Sequence, residues 1–257
     1  MSTHVDDLAA PVDLAGPARR VVSLVPSLTE ALAVTCPERL VGATDWCTHP
    51  AGLDVARVRG TKNPDLAALA ALEPDLVVAN KEENRELDVR RLRERGVAVW
   101  VTEIETVPQA LASMRRLLVE ALDLAEPAWL ADAARAWAGP VPPPRTRAVV
   151  PVWRDPWMVV GRPTFTADLL ARLGVEVVGG DPAGGRYPPA EVAALDDPSV
   201  ADVVLLPDEP YEFTAGDGPE AFARVPTRLV SGRLLTWYGP ALVESAQSLE
   251  RPGSQGA

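Results

Sequence analysis

The chain reads as an α/β protein of two lobes, each built on a mostly parallel sheet. Three observations predict this. Short apolar runs alternate with Ala/Leu-rich helical runs, the order that builds a parallel sheet with helices on its faces. A stiff break, Gly139-Pro140-Val141-Pro142-Pro143-Pro144, separates two such series. The two series also share a weak repeat. PDLAALAALEPDLVVANKEE (64–83) and PPAEVAALDDPSVADVVLLPDEP (188–210) each run from a helix through a proline turn to Asp, an apolar strand and an acidic loop. Lys81-Glu82 then aligns with Asp208-Glu209.

Taken in order, residues 1–18 read as a disordered tail. Residues 21–25 form an apolar strand. Ser27-Leu28-Thr29-Glu30 has the pattern of a capping box, in which the Ser27 hydroxyl caps the helix and Glu30 reaches back. That helix ends near Cys36-Pro37. A strand over 40–43 leads into Asp45-Trp46-Cys47-Thr48-His49-Pro50. A helix over 66–72, a strand over 75–79, a helix over 84–95 and a strand over 98–101 complete a first lobe spanning 19–106. Helical stretches over 107–122 and 127–138 fill a linker, 107–144. The second lobe, 145–249, has strands over 148–153, 176–178, 202–206 and 228–230. Its helices are predicted over 165–173, 189–195, 219–224 and 240–249. Residues 250–257 read as a second disordered tail.

At 257 residues the chain is long enough for two small lobes. Its net charge of −11 excludes the basic surface that a nucleic-acid binder needs. No stretch approaches the roughly twenty apolar residues of a membrane span, so no membrane insertion is expected. Two cysteines, Cys36 and Cys47, make no disulfide framework. The first eighteen residues carry three Asp and no basic, apolar leader. Read as written, the protein is cytoplasmic; with a true start upstream it is extracytoplasmic.

Polar and aromatic clusters follow the predicted strands, where a rigid sheet holds functional loops. They supply the candidate ligand-binding residues: Ser27, Trp46, Lys62, Asn63, Asn80, Lys81, Glu82, Trp153, Arg154, Trp157, Tyr187, Glu209, Trp237 and Tyr238. VVANKEENRE (77–86) shows the pattern best. An apolar strand ends abruptly in both charge signs and two amides, which suits the lip of a cleft as well as a solvated loop. Trp46, Trp153, Trp157 and Trp237 sit beside polar loops and suit stacking on a flat ligand as well as packing. Trp100, Trp129 and Trp137 fit strand or helix patterns and read as packing. Cys47 and His49 pair a thiolate with an imidazole, ligands suited to zinc, although further ligands must come from elsewhere. Glu82 and Glu83 suit an acid/base pair only if their side chains converge. No nucleophile elbow, dinucleotide fingerprint, zincin motif or P-loop is present, so no catalytic residue is assigned.

The segments RVVSLVPSLTEAL, LVGATDWCTHP, PDLAALAALEPDLVVAN and LRERGVAVWV resemble the first lobe of the cobalamin and iron-siderophore substrate-binding proteins of ABC importers, the helical-backbone metal receptors. VGRPTFTADLLARLGVEVVGG, DVVLLPDEPY and the Trp237 loop resemble the second lobe. NKEEN and LLTWYGP resemble the cobalamin-binding subgroup. The resemblance covers about residues 19–249. It implies two Rossmann-like lobes joined by a long helix, and a cleft between them that binds a small molecule without catalysis. It implies no required cofactor, a corrinoid or metal chelate as ligand, a monomer, and an ABC permease as partner. It places Trp46, Trp237 and Tyr187 as ligand-facing aromatics.

Three departures accompany it. Two other aromatic positions of the family stand here as Thr61 or Lys62 and as Asn80, which suits a more polar ligand. The glutamates that dock relatives onto a permease align with Ala67 and with Ala190 or Glu191. The second linking helix, 127–138, spans only about 18 Å at 1.5 Å per residue. An enzyme or metal-handling protein reusing the cleft is the alternative reading, because fold does not fix function.

Overall fold

The computed structural model describes residues 2–181 and 183–249; the 250–257 tail expected from the sequence lies outside them. The chain divides into two compact units. The first holds Met1–Ile104, Pro108–Ala133 and Tyr238–Pro240; the second holds Glu105–Val107, Ala134–Trp237 and Ala241–Ala257. The expected helical linker is thus shared out between the units. A helix over Val107–Arg115 continues as a wider π-type turn over Arg116–Ala121, and a separate helix covers Ala128–Ala136.

The first unit carries an all-parallel sheet. Its strand order is Ala56–Arg57, Leu40–Ala43, Val21–Ser23, Leu76–Asn80, Val99–Thr102. Parallel neighbours need crossovers, which the helices Pro26–Thr35, Leu66–Ala71 and Glu86–Glu94 help to make. Strands buried on both faces read as unbroken apolar runs, and every residue of Leu76–Asn80 is buried. Val22, Leu24, Val77, Ala79, Leu92 and Val101 share one core cluster.

Two local expectations change. The first helix begins at Pro26, with Val25 as its cap and no side-chain cap bond. Proline has no N–H to lose and a preset φ, so it takes the first helical position. Ser27 falls inside the helix, and the capping box does not form. A side-chain cap appears instead on the next helix, where Asp65 accepts the N–H groups of Ala67 and Ala68 at 3.1 and 3.0 Å.

The expected N-terminal tail is ordered from Ser2. Ser2–Val5 and Pro11–Leu14 form an antiparallel hairpin. Its turn is built on Asp6, which accepts the N–H groups of Leu8 and Ala10, both at 2.9 Å. Asp6 also pairs with Arg93 at 2.7 Å, while Asp7 pairs with Arg116 at 2.6 Å. Two Asp residues that read as solubilising charge therefore fasten the hairpin to the unit.

The second unit carries a parallel sheet of order Val175–Val177, Thr146–Val149, Val203–Pro207, Thr227–Val230. The predicted strand over 148–153 is broken. Its last residues, Pro151–Trp153, leave the sheet to pair antiparallel with Met158–Val159. Asp155, in the turn between them, has φ 60, a left-handed conformation that Asp tolerates better than most residues. Helix Phe165–Arg172 is capped by Thr164, whose hydroxyl accepts Ala167 N–H at 3.2 Å. The helix expected over 189–195 shrinks to Val192–Leu195, and that over 219–224 to a 3₁₀ turn, Pro219–Ala221. Short helix Gly232–Thr236 and helix Ala241–Leu249 follow. Val149, Leu195, Val204, Leu206, Phe213 and Phe222 share its core. Both halves of the sequence repeat become a helix followed by a sheet strand.

Among the described residues no helix is long and apolar enough to cross a membrane.

Candidate functional site

In both units the candidate residues follow the carboxyl ends of parallel strands, where open α/β sheets bind ligands. In the first unit the two amides of VVANKEENRE are fasteners. Asn80 is buried at the end of its strand. Its amide donates to the Thr102 carbonyl at 3.2 Å and hydroxyl at 3.1 Å, and its carbonyl accepts the N–H groups of Glu82 and Glu83 at 2.8 and 3.2 Å. An amide engaged on both ends has little capacity for a ligand, so the ligand-binding expectation for Asn80 is corrected to a structural one. Asn84 was expected only to start a helix, which in fact begins at Glu86. It is buried, accepts the Asn80 N–H at 2.8 Å, and donates to the carbonyls of Leu24 at 3.2 Å and Thr61 at 3.0 Å.

Between these amides, Lys81 and Glu82 are exposed. Lys81 pairs with Glu103. Lys62 donates to the Glu82 carbonyl and so ties the hairpin Arg59–Gly60/Asn63–Pro64 to the loop.

Trp46 is 67% exposed, the largest exposure among the big apolar side chains of the described residues. It lies against Gly60, where an added Cβ would overlap the Asn63 side-chain Oδ1 and approach the indole nitrogen to 3.3 Å. Glycine allows that approach, and Asn63 lines it. The Trp46 loop is held by Arg57, which sequence reasoning missed. Its guanidinium donates to the carbonyls of Thr44 and Cys47, both at 2.9 Å, and of Leu53 at 3.0 Å. An isolated Arg in a polar stretch carries no sequence signal for such a role.

The surroundings of Cys47 and His49 lend no support to the metal site expected there. The Cys47 thiol is buried between the hydroxyls of Thr29 at 2.9 Å and Thr44 at 3.1 Å, and burial pushes its pKa up. A thiol kept protonated is a poor ligand. His49 is exposed, with Nδ1 3.2 Å from the Thr48 hydroxyl. Among the described residues no three His, Cys, Asp or Glu side chains gather as a metal cluster.

Ser27 and Tyr238 meet inside the first unit. Tyr238 is 5% exposed, and its phenol faces the hydroxyls of Ser27 and Thr102. Burial, with the nearby charge of Glu83, raises its pKa well above the ordinary value. Gly239, at φ 143, follows, and a Cβ there would approach the Ser27 carbonyl to 3.3 Å. Neither side chain is the open ligand contact expected.

In the second unit Trp237 is also 5% exposed. Arg233 lies over its ring, 5.9 Å from the centroid. Glu209 packs against Gly232 and lies 3.4 Å from the Thr236 hydroxyl. Burial raises the Glu209 pKa, and a hydrogen bond from the Trp237 side chain opposes the rise. Tyr187 is half-buried, in a segment whose Arg186 carbonyl accepts Gly161 N–H at 2.7 Å.

Arg154 is engaged by Asp217 and, at 2.6 Å, by Glu220, and lies 5.4 Å from the centroid of Trp157. It is a staple within the unit, not a waiting anion site. Trp157 stacks on Phe213 at 5.7 Å, and Trp153 stands edge-on to Tyr211 at 5.6 Å with 45% of its surface exposed. A groove of about 430 Å³ runs along edge strand Val175–Val177, between Pro142 and Ala171; no candidate residue lines it.

No protein-family model matches the chain. A vitamin B12-binding protein of Vibrio cholerae serotype O1 is 26% identical over 103 residues, which is 39% of this chain and 37% of that protein. The match thus spans little more than a third of the curated relative. The crystal structure of periplasmic vitamin B12 binding protein BtuF of Vibrio cholerae superposes with a TM-score of 0.72 at 16% identity, covering 91% of this chain and 96% of that one. Periplasmic heme-binding protein BhuT in complex with two hemes superposes at 0.70 with 25% identity, covering 92% and 97%. The expectation of a cytoplasmic protein finds no support among these relatives, whose structures are described as periplasmic. In sequence over about two-fifths of its length the chain is similar to a vitamin B12-binding protein, as its motifs predict, and in fold over nine-tenths of it to periplasmic vitamin B12- and heme-binding proteins.

Proposed function

We propose that the protein is an extracytoplasmic ligand-binding protein that takes up a ring-bearing small molecule of the vitamin B12 or heme kind and delivers it to a membrane transporter. The observation that carries this reading is Trp46, a large aromatic 67% exposed on a loop at the carboxyl end of a parallel strand. An indole left in water is open to stack on a flat ligand, and covering it removes apolar surface from water. Arg57 and Gly60 hold the loop in place, so little ordering is left for the ligand to impose. The relatives' named ligands, vitamin B12 and heme, carry the flat or ring-rich surfaces that an indole stacks on.

The catalytic alternative has less support. The Cys47 thiol is buried and held protonated, and the named relatives are binding proteins. Delivery to a permease follows from the resemblance to importer proteins, with Ala67 at the first docking position and Ala190 or the exposed Glu191 at the second.

Native mass spectrometry of the purified chain, with absorbance titration against cobalamin and heme, tests the reading. Trp46→Ala is expected to weaken the bound compound by about 1 kcal/mol or more, the stacking contribution beyond burial, without loss of stability. If neither compound binds and nothing co-purifies, the reading is wrong.

A further inference from the structure

The second unit carries a corner of two aromatic rings set in an acidic surround, and we propose that it binds an alkylated ammonium group. Trp153 closes strand Pro151–Trp153, and Tyr211 enters from the loop after Val203–Pro207. Their centroids lie 5.6 Å apart at an interplanar angle of 79°, so the rings form two walls nearly at right angles. Trp153 is 45% exposed.

The Tyr211 wall is braced by its neighbours, and the Trp153 backbone is held by strand pairing with Met158. The Tyr211 hydroxyl donates to Asp217 at 2.6 Å, and its ring lies 4.7 Å from Phe213, which stacks on Trp157. The corner therefore exists before any ligand arrives.

The charge around it has one sign in excess. Arg154 is in contact with Asp217, with Glu220 at 2.6 Å and with Asp155 at 3.9 Å. One guanidinium against three carboxylates leaves two negative charges over, and the Asp155 side chain is 89% exposed. A cation facing an aromatic wall is drawn by the ring quadrupole, and the carboxylates add a salt-screened attraction. The ring cluster already holds one cation this way, since Arg154 lies 5.4 Å from the Trp157 centroid. Small inorganic cations are strongly hydrated and give up that water reluctantly. An ammonium with methyl or alkyl groups sheds little water and matches the rings with apolar surface. The site therefore suits a quaternary or methylated ammonium, whether a free compound or part of the ligand proposed above. In the latter case it rests on that reading.

The test uses the full chain and a simple probe. Tetramethylammonium chloride is titrated while the tryptophan indole N–H resonances are followed, Trp153 being assigned by its loss in Trp153→Ala. The neutral and anionic counterparts of similar shape, tert-butanol and pivalate, are run alongside. Tetramethylammonium is expected to give a saturable shift at Trp153, tert-butanol one at least fivefold weaker, and pivalate none. Trp153→Ala, read by titration calorimetry alongside the wild type, should lower tetramethylammonium affinity roughly fivefold or more. Asp155→Asn, on an exposed side chain, should weaken it and flatten its salt dependence. Equal binding of tert-butanol, or unchanged affinity in Trp153→Ala, overturns the proposal. Because the probe is not the natural ligand, that outcome leaves the Trp46 test standing, and failure of the Trp46 test leaves this one standing.

Discussion

Asn84→Ala removes a side chain that touches no proposed ligand, yet it should be among the costlier substitutions in the first unit. The amide accepts the peptide N–H of Asn80 at 2.8 Å and donates to the carbonyls of Leu24 and Thr61. Asn80 and Leu24 are buried, so two backbone groups lose their partner away from water. Each such orphan costs about 1–3 kcal/mol, while Thr61 lies close enough to the surface for water to replace the bond. The expected loss is about 3 kcal/mol, a large part of the roughly 5–15 kcal/mol that holds a domain together. Urea denaturation followed by tryptophan fluorescence measures it, and native-state hydrogen exchange at the Asn80 N–H locates it. Asn84→Asp is a second arm: it keeps the acceptor toward Asn80 but loses both donors and brings a buried charge. A loss under about 1 kcal/mol for Asn84→Ala, with no faster exchange at Asn80, refutes the clamp.

Two further outcomes are expected. Asp6→Asn keeps the shape of a side chain whose carboxylate meets Arg93 and three backbone N–H groups, those of Leu8, Ala10 and Val101. Breaking that half-buried pair and its hydrogen bonds should cost about 1–3 kcal/mol by thermal or urea unfolding, and an unchanged midpoint would mean that the hairpin is not fastened. Glu209 has its pKa raised above the ordinary 4.5 by burial. The folded state therefore binds protons more tightly than the unfolded one, and the stability due to Glu209 falls as pH rises from 4.5 through the raised value. Glu209→Gln should abolish that slope and exceed the wild type in stability at neutral pH; parallel stability–pH curves for the two proteins would contradict it.

The parallel sheets were legible because a strand buried on both faces must be apolar throughout. Leu40–Ala43 falls at its expected bounds, and Leu76–Asn80 is shifted by one residue. The carboxyl-end loops were legible for the same reason, since the apolar run stops where the sheet stops. What each polar residue does there was not legible. Asn80, Asn84 and Arg57 bond to backbone groups that are brought near by the fold, up to sixty residues away in sequence for the Asn84–Leu24 pair. No local pattern distinguishes such an amide from one aimed at a ligand. The N-terminal hairpin was missed likewise: Asp6 and Asp7 look solubilising until Arg93 and Arg116 arrive from elsewhere in the chain.

This bears on ligand chemistry. Lys62, Lys81 and Arg154, with Glu82 and Glu209, suggest from sequence a site for a more polar compound. In the structure Lys62 holds a backbone carbonyl, Lys81 meets Glu103, and Arg154 meets three carboxylates while covering a tryptophan. Redirecting any of these cations to a ligand would break a bond the loops use to hold their shape. The exposed rings of Trp46 and Trp153 carry no such obligation. Recognition by this protein should therefore depend more on aromatic contact than on ion pairing with these lysines and Arg154, and its affinity should fall less with added salt than a lysine-lined site would predict. A salt dependence as steep as that of a multiply paired anion would return the three cations to the site.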